Sequence, residues 1–206
     1  MITLRSCWIS WPFLRKLILP CLAFSSLSYG QALYQDQEIQ VHNLPSLEAR
    51  SHDPSDVLLT SLDTILHNRD VCCGKDSALE DSLAKADPKS LKDVADKLQG
   101  QHRLSDGRAI TVTAEYLTPD AAGAGHLVTL IVNQHPALME WNSHVYVVHG
   151  MVFFWGGDTG GPAIVIRKLL LWDTRYADSR REVIFTLGVD DANKVAGLLF
   201  VQAELP

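Results

Sequence analysis

Cysteine is scarce in this 206-residue chain, with four residues at positions 7, 21, 72 and 73. Acidic side chains are missing from the first thirty positions, where Arg5, Arg15 and Lys16 are the only charges. No apolar run reaches the ~20 residues that a membrane-crossing helix needs, and no internal repeat is visible. Each shortage excludes something. Cys72 and Cys73 are adjacent, so they cannot staple distant segments as the cysteines of a small secreted scaffold do. The absence of a long apolar run argues against a spanning helix, and the absence of repeats against a solenoid.

What stands at the amino terminus is a targeting pattern. The three early cations precede an apolar run from Leu17 to Leu27 that closes on small residues. This is the order of a secretory signal peptide. Cleavage is expected after Gly30, with Ser28 at the minus-three position, or after Ala32, with Gly30 there. The alternative is an uncleaved membrane anchor, against which Pro20 and the short run both stand. Pro20 also argues against lipid attachment at Cys21. Loss of residues 1–30 leaves 15 basic against 24 acidic side chains, a net charge of −9. That balance argues against nucleic acid and anionic lipid as partners. The expected location is periplasmic or extracellular, with no membrane contact after cleavage.

Residues 31–52 are polar and lack a period, which predicts an extended lead-in outside the core. Residues 53–206 have the length of one domain. Asp53 and Pro54 read as an N-cap and first helical position, and Leu58, Leu62, Ile65 and Leu66 fall on one face of a helix running to about His67. A second helix is expected after the cysteines, striped by Ala78, Leu79 and Leu83. A third should start at Asp87 and Pro88, bury Leu91, Val94, Ala95 and Leu98, and stop at Gly100. From Gly107 onward, short β-branched and aromatic runs predict strands over 108–116, 127–132, 144–148, 151–155, 169–172, 182–186 and 197–201. His149 and Gly150 read as a tight hairpin turn. Helices first and strands afterwards predict an α+β fold with a mainly antiparallel sheet.

The chemistry centres on Cys72-Cys73-Gly74, at the mouth of the predicted second helix. Unpaired N–H groups and the positive end of a helix dipole favour a thiolate there. A thiolate nucleophile needs a base, and His144, opening a strand, is the candidate; Asp173, closing another, could orient the ring. The same residues have simpler roles open to them. The cysteines can be buried apolar side chains or a vicinal disulfide, His144 a packed or surface residue, and Asp173 a turn residue. His126, His135, His144 and His149 match no compact metal-ligand spacing, so neither a metal nor a cofactor is expected. Gly156 to Gly161 is glycine-rich but lacks a strand-to-helix crossover, and a hairpin tip fits it better than a phosphate loop.

Cys73-Gly74-Lys75-Asp76-Ser77-Ala78-Leu79 resembles the Cys-Gly-Pro-Ala-Ala-Leu helix start of papain-like cysteine peptidases of the bacteriocin-processing, double-glycine-leader kind. Pro136-Ala-Leu-Met-Glu-Trp-Asn-Ser-His144-Val-Tyr-Val-Val-His-Gly150 is similar to their strand, short link and His-Val-Val-Val-x-Gly hairpin. Leu171-Trp172-Asp173-Thr174 is like their Val-x-Asp-Pro strand end. The resemblance spans residues 65 to about 190 in the right order. It implies a papain-like fold, with Cys73 as nucleophile, His144 as base and then acid, Asp173 as orienter, and a peptide or protein substrate.

Three positions depart from the pattern. Lys75 and Thr174 stand where the family has proline. His67, with Asn68 beside it, stands where a glutamine helps to bind the oxyanion. Loss of one such donor typically costs ~10²- to 10³-fold in rate, so His67 or Asn68 must substitute for it or the site is inactive. The expectation is therefore an exported thiol hydrolase. The alternatives are a secreted binding module on the same scaffold, without turnover, and a thiol redox protein using Cys72 and Cys73.

Overall fold

A computed structural model describes residues 35–66, 90–104, 106–118, 124–158, 161–190 and 194–204. The expected signal segment, the helix expected over 78–83, His67, Asn68, Cys72 and Cys73 lie outside the described residues. The described chain is α+β, with three helices and an eight-stranded antiparallel sheet.

Helix α1 (Pro54–Leu66) begins where its sequence predicts. Pro54 takes the first position, Asp56 lies in the first turn near the positive end of the dipole, and Val57, Leu58, Leu62, Ile65 and Leu66 are buried. Helix α2 (Leu91–Leu98) starts later than the sequence predicts. Ser90, not Asp87, is its cap; its extended backbone (φ −153°, ψ 160°) stops any earlier helix from running through, and its hydroxyl accepts from the Asp93 N–H. Its buried face is the expected one, Leu91, Val94, Ala95 and Leu98.

The third helix, α3 (Ala124–Val132), replaces an expected strand over 127–132. Leu127, Val128, Leu130 and Ile131 are buried together, a spacing that suits one helical face better than one side of a strand. The helix ends in a Schellman-type cap. Gln134 takes φ 64°, its N–H donates to the Ile131 carbonyl, and the His135 N–H donates to the Leu130 carbonyl.

The strands are β1 (Gln37–Gln40), β2 (Gly100–Arg103), β3 (Ala109–Leu117), β4 (Ala137–Trp141), β5 (His144–Asp158), β6 (Gly161–Trp172), β7 (Glu182–Thr186) and β8 (Val195–Glu204). They lie in the order β2-β3-β8-β4-β5-β6-β7, and β1 pairs with β5 beyond the end of β4. Residues 37–40 are thus part of the sheet, and Val41 and Ala49 are buried, so the lead-in expected outside the core is built into it.

The expected hairpin at His149 and Gly150 does not form, because β5 is one continuous 15-residue strand. The two-residue turn comes earlier, at Asn142 (φ 53°) and Ser143 (φ 62°), between the paired residues Trp141 and His144. Two successive positive φ angles define the type I′ hairpin turn. At His149 the β5–β6 register slips by one residue, and Gly150 is required by proximity: a Cβ there would lie 2.7 Å from the Ile39 carbonyl oxygen of β1.

The two faces of the sheet bury separate cores. Leu138, Val147, Leu199 and Val201 pack with α1 and α2, whereas Met139, Tyr146, Val148, Leu198 and Phe200 pack with α3. The alternation of adjacent residues between the clusters is the period of two expected of strands buried on both sides.

Candidate functional site

Three sequence-predicted residues, Cys73, His67 and Asn68, lie outside the described residues. The other two meet at one corner. His144 opens β5 and Asp173 follows the last residue of β6, whose ladder with β5 includes Val147 opposite Trp172. The antiparallel pairing therefore carries both to the same end of the strand pair.

They are joined by a residue that the sequence reading did not single out. The Arg175 Nε donates to both carboxylate oxygens of Asp173, at 2.8 and 3.1 Å, and its Nη2 donates to Oδ2 at 2.5 Å. The Arg175 Nη1 lies 3.3 Å from His144 Nδ1. Asp173 is buried, Arg175 is partly buried and His144 is exposed. The hydrogen bonds to Asp173 hold the Arg175 pKa above its ordinary value, with burial acting against them. Nearby Tyr146 is pushed up, mainly by burial, and Arg175 opposes the shift.

Local chain chemistry explains the corner. The Asp173 Oδ1 accepts from the Arg175 backbone N–H at 3.1 Å, and the Tyr176 N–H donates to the Asp173 carbonyl. This is an Asx-type turn closing a strand. Thr174, in the position where the resemblance has proline, is fully buried and ties the turn to α1 through Ser61, 2.8 Å between hydroxyls. The Ala49 N–H donates to the Thr174 carbonyl. Strand parity sets His144 with Tyr146 and Val148, on the α3 side of the sheet. The helix that precedes the cysteines, α1, packs on the other side.

A second polar cluster lies one residue away. Trp172 stacks on His149 at 4.7 Å between centroids, and the Arg181 guanidinium sits 4.1 Å from the Trp172 ring. Glu182 accepts from the Trp172 indole N–H at 2.7 Å and approaches His149 Nε2 at 3.4 Å. Burial pushes the His149 pKa below 6.5, with Glu182 pulling the other way. Arg181 is likewise lowered by burial and bonds Ser46 through Nη1 at 2.5 Å.

The histidines of the strand half have different neighbours. His126 faces Glu115, His144 faces Arg175 and His149 faces Trp172. Among the described residues, no three His, Cys, Asp or Glu side chains gather as a metal site, and no helix is long and apolar enough to cross a membrane. The chain matches no protein-family model, and no curated protein matches it.

Proposed function

We propose that this protein is an exported thiol hydrolase of papain-like fold, a cysteine peptidase or amidohydrolase acting on peptide or protein substrates. The Cys73 thiolate would attack the substrate carbonyl carbon. The C–N bond would break as His144 protonates the departing amine, and water would then hydrolyse the thioester. No cofactor is required. The observation that supports this reading is that the pairing of β5 and β6 brings His144 and Asp173 to one end of the strand pair, joined through Arg175. The signal pattern supports a periplasmic or extracellular location.

A second reading is a secreted binding module that keeps the scaffold without turnover. It is favoured by Arg175, whose guanidinium occupies the carboxylate oxygens that a direct Asp173–His144 pair needs.

Labelling with limiting iodoacetamide, read by peptide mass spectrometry, separates the two. Turnover chemistry expects label on Cys73 at neutral pH, its loss in Cys73→Ala and its retention in Cys72→Ala. Slow, equal labelling of both cysteines, with an alkaline profile unchanged by His144→Ala, would sink the hydrolase and leave the binding module.

A further inference from the structure

Arg175 belongs to no motif of the resemblance, yet it touches both described residues on which the hydrolase reading depends. We propose that Arg175 is the positioning residue of this site, fixing neutral His144 as its Nε2–H tautomer while Asp173 holds the guanidinium in place. The functional meaning of this assignment rests on the hydrolase reading; the tautomer itself does not.

The argument starts from donor and acceptor chemistry. A guanidinium offers N–H donors and has no acceptor. The His144 Nδ1, 3.3 Å from Arg175 Nη1, is therefore the acceptor of that contact. A neutral imidazole carries one proton, so it must sit on Nε2. Arg175 is not free to turn away at little cost. Nε and Nη2 are both engaged by Asp173, whose side chain is only 5% exposed, and the Arg175 backbone N–H bonds the same carboxylate. The guanidinium is thus held at two corners and extends the third toward the imidazole. Its contact with the Tyr176 ring, 5.8 Å to the centroid, closes another side.

This arrangement reverses the usual polarity of an aspartate–histidine pair. A carboxylate that bonds the ring directly draws the proton to the nitrogen facing it and leaves the lone pair on the other. With Arg175 between them, the lone pair faces the arginine and Nε2–H faces away. Neutral His144 then has no free lone pair for the Cys73 proton: it serves as base only after Arg175 releases Nδ1, and the imidazolium so formed is the acid that the leaving amine requires.

Nitrogen-15 ring shifts of His144 in the intact chain, recorded where the imidazole is neutral, test the assignment. In the wild type, Nδ1 should resonate as an unprotonated acceptor and Nε2 as a protonated nitrogen. Arg175→Lys, which keeps a donor and a charge for Asp173, should retain that pattern. Arg175→Met should reverse it, because the freed carboxylate then accepts from Nδ1–H. A protonated Nδ1 in the wild type overturns the assignment, as does an unchanged pattern in Arg175→Met. A protonated Nδ1 in the wild-type spectrum overturns the assignment even if the methionine variant does not fold. Cys73 labelling reports separately on the hydrolase reading: the expected tautomer with an unreactive Cys73 removes the hydrolase and leaves Arg175 in its role, whereas a reactive Cys73 beside an Nδ1–H tautomer removes Arg175 alone.

Discussion

Ser61 and Thr174 share a hydroxyl–hydroxyl hydrogen bond of 2.8 Å, and neither residue has any solvent exposure. The pair fastens the turn after β6 to the middle of α1. Thr174→Val keeps the shape and leaves the Ser61 hydroxyl without its partner, so it should cost about 1–3 kcal/mol. The double variant Ser61→Ala/Thr174→Val should lose less than the sum of the single changes. Denaturant midpoints of the four proteins of the cycle measure both quantities, and strict additivity would show that the hydroxyls are not coupled.

Asp173→Ala should be among the more damaging single changes. It leaves the partly buried Arg175 without its counter-charge; for a fully buried pair that costs about 3–5 kcal/mol, and the partial exposure of Arg175 makes this the upper limit. Urea unfolding should show a lower midpoint with little change in slope. A loss below about 1 kcal/mol would mean that the pair behaves as an exposed one.

His149 should make the protein sensitive to acid. Its folded pKa lies below the 6.5 of a free imidazole, chiefly through burial. At a pH below 6.5 the unfolded chain therefore binds more protons than the folded one. Its contribution is complete above about pH 6.5 and is lost as the pH falls toward the folded pKa. His149→Phe keeps a ring against Trp172 and removes the titration. The fall in thermal midpoint between pH 7 and pH 5 should be smaller in that variant, and an identical fall would remove His149 as a cause.

Gly150→Ala should loosen β1. The new methyl group meets the Ile39 carbonyl oxygen at 2.7 Å and the Leu170 side chain at 3.1 Å. Overpacking of this kind costs about 1–3 kcal/mol. Hydrogen exchange should rise first at residues 37–41, where the ladder to β5 opens, with β3 and β8 staying protected. Uniform exchange across the sheet would contradict a local clash.

Helix α1 was legible because its cap and a 3.6-residue apolar period agreed, whereas α2 was legible by its period alone, its cap being Ser90 rather than Asp87. The antiparallel strands were legible in outline. Helix α3 was not: Leu127 to Val132 is a short, mostly apolar run with two valines and an isoleucine, and such runs fit helix and strand alike. Gly150 misled for a physical reason, since glycine serves close backbone approach as well as turns. Half of the site corner could be read in advance. Asp106, Asp173 and Asp178 each accept from the backbone N–H of an arginine two residues on and pair with its guanidinium, so Asp-x-Arg is a local signal repeated three times. What the sequence did not reveal is that only one of the three aspartates is buried, and that its arginine reaches a histidine 31 positions away. That depends on sheet register.

Among the described strands, β8 comes last in the chain and lies between β3 and β4. Its seven pairs with β3 and five with β4 join what would otherwise be two unconnected ribbons, β2-β3 and β4-β5-β6-β7. During synthesis, each ribbon has an open edge until residues 195–204 have left the ribosome. The sheet is therefore completed only after every other described strand has been made, because each half waits with one edge unpaired for the single segment that bonds both.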